Sequence, residues 1–149
     1  MTPSEIIKLR KLSQQYAYTS IQMHEAIGRK AGMSGTDHKY LGFLLQRGPM
    51  TAGELSHITG LTTGAITSLI DRFEQKGLLK RQPDERDRRK VIIVPDAEKI
   101  KALLFPLYKN FQDNTENLLA TFSSDESKIL ERYFLKAIDL MGSEIESIT

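Results

Sequence analysis

Cysteine is absent from all 149 residues. Disulfides, thiolate catalysis and cysteine-ligated zinc are therefore excluded together. No stretch approaches the roughly 18 to 20 consecutive apolar residues of a membrane helix, and the N-terminus lacks the apolar core of a signal peptide. A cytoplasmic chain with no membrane partner is the expectation. Histidine is scarce, and His24, His38 and His57 fall in no H-E-x-x-H or similar ligand spacing, so no metal site is read. The sequence also lacks a phosphate-cradling glycine loop, a G-x-S-x-G elbow and paired carboxylates on a recognisable scaffold. It reads as neither an enzyme nor a cofactor protein.

What is present is one substantial core's worth of chain, 40% hydrophobic, with no repeats or low-complexity linkers. The net charge of +2 is too small to imply a nucleic-acid partner, but it is unevenly distributed. Residues 72–109 hold eleven basic and six acidic side chains, whereas residues 110–149 hold three basic and eight acidic. An excess of five positive charges is followed by an excess of five negative ones, and the positive region is the one suited to DNA.

The densest information lies between Thr51 and Pro95. Thr51 and Glu54 have capping-box spacing at the start of a short helix, and Gly60 supplies a turn. Thr62 then caps a second helix that ends at Gly77. Leu55, Ile58, Leu61, Ile66, Leu69, Ile70 and Phe73 recur at helical spacing and predict a shared inner face. The outer face carries Thr63, Gly64, Thr67 and Ser68, residues small enough for a close approach to another molecule and able to exchange hydrogen bonds with it. A groove-entering helix needs such a face, although isolated hydroxyls also serve as caps and solvated surface.

Leu78–Gln82 and Lys90–Val94 read as two short strands around a polar turn. Between Lys80 and Lys90, six cations face three acids. Arg86, Arg88 and Arg89 can bridge phosphates or enter a narrow minor groove, or they can pair with Asp84, Glu85 and Asp87; both are expected, with Asp87 orienting one arginine. Arg72 and Lys76 reach phosphate from the later turns of the second helix, or Arg72 bridges to a carboxylate such as Asp87.

The order helix, Gly60 turn, DRFEQKGLLKR from Asp71 to Arg81 and DRRKVIIV from Asp87 to Val94 resembles the winged helix-turn-helix of the MarR (multiple antibiotic resistance regulator) family. The resemblance implies a mainly α fold with a small β-hairpin wing, in which N- and C-terminal helices form a dimerisation lobe. Residues 1–149 would make one such domain, with the winged helix-turn-helix lobe at 33–95 and the helical lobe at 1–32 and 96–149. It also implies that the D-x-R element, Asp87 and Arg89, shapes the wing, and that Arg88 or Arg89 reaches the minor groove. Where many members follow the second wing strand with Leu-Thr and a glycine, this chain has Val94, Pro95 and Asp96. Asp96 can cap the next helix. Without cysteine, the thiol-based oxidant sensing of some members is closed to this chain.

The flanking segments read as amphipathic helices. Thr2, Pro3 and Glu5 open the first, with Ile6, Leu9, Leu12, Tyr16, Met23 and Ile27 near one stripe and Gly32 as its stop. Ser34 begins a second. After Asp96 comes an apolar helix in which Pro106 predicts a bend or a break. Ser123 and Glu126 open the last. Such faces call for a partner, and the resemblance names it as a second copy. Tyr16, Met23, His24, Tyr40 and Phe43 line a pocket for a small aromatic or anionic effector, as members often have near this junction, or are ordinary core. The leading reading is a homodimeric repressor on a double-stranded, inverted-repeat operator; the rival is a winged-helix module that binds protein instead of DNA.

Overall fold

The computed structural model describes residues 1–148. The helix α1 (Pro3–Lys30) opens on a complete capping box, with Thr2 Oγ1 accepting the Glu5 N–H at 3.3 Å and Glu5 accepting the Thr2 N–H at 2.6 Å. Ser34 caps α2 (Gly35–Arg47) by accepting the Asp37 N–H. A two-residue strand, β1 (Met50–Thr51), runs straight into α3 (Ala52–Thr59), whose cap pairs Thr51 with Glu54 at 3.1 and 2.7 Å. Gly60 then adopts φ +69°, a left-handed conformation that a side chain would resist, and the chain turns into α4 (Thr63–Gln75). The hairpin β2 (Leu79–Pro83) and β3 (Val91–Pro95) leads to α5 (Ala97–Leu119) and α6 (Ser124–Ile148).

The sheet is antiparallel in the order β1-β3-β2, with Met50 opposite Ile93 and Arg81 opposite Ile93 on the other side. Both wing strands begin and end one residue later than the sequence predicts. β1 has no counterpart in the sequence reading, because two residues are too few to show alternation. The unusual Val94-Pro95-Asp96 junction closes cleanly: Pro95 ends β3, the Asp96 N–H donates to the Leu78 carbonyl at 2.9 Å, and Asp96 Oδ1 accepts the Lys99 N–H at 3.0 Å.

Two compact units divide the chain after Tyr108. In the first, Leu41 and Leu44 of α2, Leu55 of α3, Ile66, Leu69 and Phe73 of α4, Ile93 of β3 and Ile100 of α5 are fully buried in one core. Ile58 and Leu61 pack against it half-buried. The inner face expected of α3 and α4 is thus the inner face found. The first five turns of α1 are different, since Ile6, Leu9, Leu12 and Tyr16 all stand exposed.

The second unit holds the end of α5 and all of α6. Ser123 and Glu126 form their reciprocal cap at 3.3 and 2.8 Å. No residue of α6 is buried, although Ile129, Tyr133, Phe134, Ile138, Met141 and Ile145 recur along it. Pro106 does not break α5, which continues through it. Proline forfeits only its own bond to the carbonyl four residues back, and the turns on either side keep theirs.

Candidate nucleic-acid interface

The amphipathic pattern of α4 decides which residues it can offer. With Ile66, Leu69, Ile70 and Phe73 turned into the core, Thr62, Thr63, Gly64, Thr67 and Ser68 are left exposed. Thr62 Oγ1 accepts the Ala65 N–H at 3.3 Å, and Thr67 donates to the Thr63 carbonyl at 3.0 Å. Among the described residues, the hydroxyls of Thr63 and Ser68 have no partner. A Cβ built on Gly64 would meet nothing within 4 Å, so the space outside this turn is open to a macromolecular surface.

The wing is shaped by its acids. Asp84 accepts the Arg86 N–H at 2.9 Å, and Asp87 accepts both the Arg89 N–H at 3.1 Å and the Arg89 Nε at 3.2 Å. The Asp84 N–H to Lys90 and Lys90 N–H to Asp87 bonds, both 2.9 Å, close the tip. Asp87 therefore orients Arg89, as the D-x-R spacing implies, yet the Arg89 side chain remains 91% exposed. Arg86 and Arg88 are exposed with no ion-pair partner among the described residues.

Arg81 behaves otherwise. Its guanidinium is held between the Asp71 and Glu74 carboxylates of α4, and its N–H donates to Glu74 at 3.1 Å. The hydrogen bond it donates to Asp71, with the charge of Glu74, outweighs partial burial and raises its pKa further, so it stays protonated. It must be subtracted from the cations the sequence credits to the hairpin. In its place it braces the wing against α4, a role no short-range spacing signals.

Arg72 does form a bridge, but to Asp37 and not to Asp87. Its Nε and Nη2 each lie 2.8 Å from one Asp37 oxygen, a bidentate fork across 35 residues of sequence. Burial alone would raise the Asp37 carboxyl, but hydrogen bonds from Arg72 and Ser34 and the charges of Arg72 and Lys76 hold it below its ordinary value. One turn further on, Lys76 donates to the Gly32 carbonyl at 3.0 Å.

A cavity of about 540 Å³ opens between α1, α2 and the start of α5. His24 and Phe43 line it; Tyr16, Met23 and Tyr40 do not, and Tyr40 belongs to the core. Two histidines that look scattered in the sequence meet here. The Tyr108 hydroxyl sits between His24 Nδ1 and His38 Nε2, 3.0 Å from the latter. A hydroxyl can donate to only one of them, so the other must be the donor. Burial, then repulsion from His24, pushes the His38 imidazolium pKa down, and burial pushes the Tyr108 phenol up. The α1–α2 crossing behind this wall is tight, since a Cβ on Gly28 would lie 2.7 Å from His38 Cβ.

Comparison with known proteins identifies the family and the fold. A profile of the MarR family matches residues 31–90. An uncharacterised helix-turn-helix transcriptional regulator of Bacillus subtilis, YcgE, is 36% identical over 141 residues, covering 93% of this chain and 89% of that protein. A MarR family protein from Bacillus stearothermophilus superposes with a TM-score of 0.76 at 29% identity, over 95% of this chain and 99% of the other. The fold is also that of a mutant Escherichia coli MarR complexed with operator DNA, at TM-score 0.57, 24% identity and coverage of 90% and 95%. The chain belongs to the MarR family.

Proposed function

We propose that the chain is a homodimeric DNA-binding repressor whose α4 reads the major groove of an inverted-repeat operator while its wing grips the flanking backbone. The observation that carries this is the division of α4, one face sealed in the core and the other small, polar and open at Thr63, Gly64, Thr67 and Ser68. Arg86, Arg88 and Arg89 supply exposed positive charge on the wing of the same unit. That a MarR of the same fold has been captured on operator DNA supports the reading.

Dimerisation is supported by the uncovered apolar residues of α1 and α6, which a monomer would leave in water. Two copies would set their α4 helices about 34 to 36 Å apart, one turn of DNA. A small aromatic or anionic effector would occupy the cavity walled by His24, His38, Phe43 and Tyr108 and relieve repression by its preference for a non-binding state. The protein would act in the cytoplasm.

Selection of bound sequences from random duplex DNA by the purified protein tests the proposal. A palindrome should emerge. If no sequence is enriched, the winged helix binds something other than DNA.

A further inference from the structure

Apolar packing holds α4 against the core but is indifferent to small slides and rotations of the helix, because the hydrophobic effect has no direction. Ile66, Leu69, Ile70 and Phe73 thus fix how deep α4 lies, and something directional must fix which hydroxyls face outward. Only a few bonds on α4 have that character. Arg81 of the wing holds the Asp71 and Glu74 side, and the fork between Arg72 and Asp37 ties α4 to α2 through two parallel 2.8 Å bonds to a carboxylate whose side chain is 9% exposed. Lys76 on Gly32 adds a second strut on the same side.

Asp37 is itself buried and tied down. It occupies the first turn of α2, where its N–H is bound by the Ser34 cap, and the residues before and after it, Thr36 and His38, form part of the cavity wall. Gly35, two residues earlier, sits so close to α1 that a Cβ there would lie 3.1 Å from Glu25. A side chain anchored this way is a fixed post for the recognition helix.

We propose that Asp37 and Arg72 are a positioning pair: Arg72 does not bind a phosphate, but locks the rotation of α4 through Asp37, and so sets the base preference of the protein. Because Asp37 lies between two wall residues of the cavity, any displacement of that turn passes directly to α4. The proposal rests on the DNA-binding reading. It assigns to Arg72 a role opposite to that of the wing arginines.

The two roles of Arg72 predict effects of opposite sign. If Arg72 positions α4, Asp37→Asn should weaken binding to the selected operator by about tenfold, comparable to one mismatched base pair, and reduce discrimination against single mismatches. Were Arg72 a phosphate contact, releasing it from Asp37 would strengthen binding. Arg72→Lys keeps the charge but cannot form the fork, so the positioning role predicts lost discrimination with an unchanged salt slope. Retained discrimination in Arg72→Lys would overturn the proposal, as would a gain in affinity for Asp37→Asn. The Asp37→Asn and Arg72→Lys double variant should lose no more than the worse single variant, since both remove one interaction; additive losses would also overturn it. Arg72 is half exposed, so the lysine variant should fold, and its circular dichroism and melting curve identify any loss due to unfolding. Failure of the wild-type protein to select a sequence would reject DNA reading itself, whereas a selective wild type with an equally selective Arg72→Lys rejects only the positioning pair.

Discussion

The helices α4 and α6 follow one design and meet different fates. Each has an apolar stripe at three- and four-residue spacing and a polar remainder. In α4 the stripe is closed off by α2, α3 and β3, and Phe73 is completely buried; along α6, Phe134, Ile138 and Met141 remain 45%, 60% and 58% exposed. Amphipathicity therefore states that a face will be covered, and not by what. A face satisfied within its own chain stabilises the fold at any concentration, whereas an unsatisfied one makes stability depend on how much protein is present.

The difference predicts two unlike responses to mutation. If α6 forms the proposed dimer contact, placing charges on its stripe with Phe134→Glu and Ile138→Glu should abolish dimerisation, because each carboxylate would be buried unpaired at a cost of several kcal/mol. Sedimentation equilibrium should show the mass of one chain, with circular dichroism still helical. A double variant that sediments like the wild type would show that α6 is not part of the interface. Phe73→Ala, in contrast, should cost about 3–5 kcal/mol through the cavity it leaves. Urea unfolding should register that loss equally at low and high protein concentration. A loss confined to dilute protein would move Phe73 from the core to the subunit contact.

The outer face of the first unit contains a similar contrast between arginines that are occupied and arginines that are not. Arg81 is enclosed by Asp71 and Glu74, whereas Arg88 on the wing is exposed with no ion-pair partner among the described residues. Arg88→Ala should lower the dependence of log affinity on log salt by about 0.9, the counterions of one phosphate. Arg81→Ala should loosen the wing and weaken binding with the slope in place. Titration of both variants at several salt concentrations would separate them, and equal slopes would mean that pairing in the free protein does not decide which arginine meets DNA.

What could be read from the sequence follows the reach of the interactions. The caps of Thr2 with Glu5, Thr51 with Glu54 and Ser123 with Glu126 depend on a separation of three residues, and all three are present. The wing arginines were visible for the same reason, since Asp87 and Arg89 are neighbours. Asp37 with Arg72 and His24 with Tyr108 were not, because 35 and 84 residues separate them and only the packing of α1, α2, α4 and α5 brings them together. Residue types alone favoured Tyr16, Met23 and Tyr40 for the cavity as much as His24 and Phe43. β1 escaped because its two residues acquire strand character from pairing with β3, not from a pattern of their own.

The cavity wall gives the smallest effect and the one most specific to a single group. His38 has its pKa lowered first by burial and then by the charge of His24, so the folded state binds its proton less readily than the unfolded chain does. Between the lowered value and the ordinary value of about 6.5, the unfolded state carries more protons, and stability must rise with pH across that interval. The contribution is complete above about pH 6.5 and is lost progressively as the pH falls below it. His38→Gln has no such proton to take up, so its urea unfolding at fixed protein concentration should lose less stability than the wild type between pH 7.5 and 5.5. Parallel losses in the two proteins would show that burial at His38 is relieved before it titrates, and that the Tyr108 hydroxyl does not hold the two rings in the arrangement that depresses its pKa.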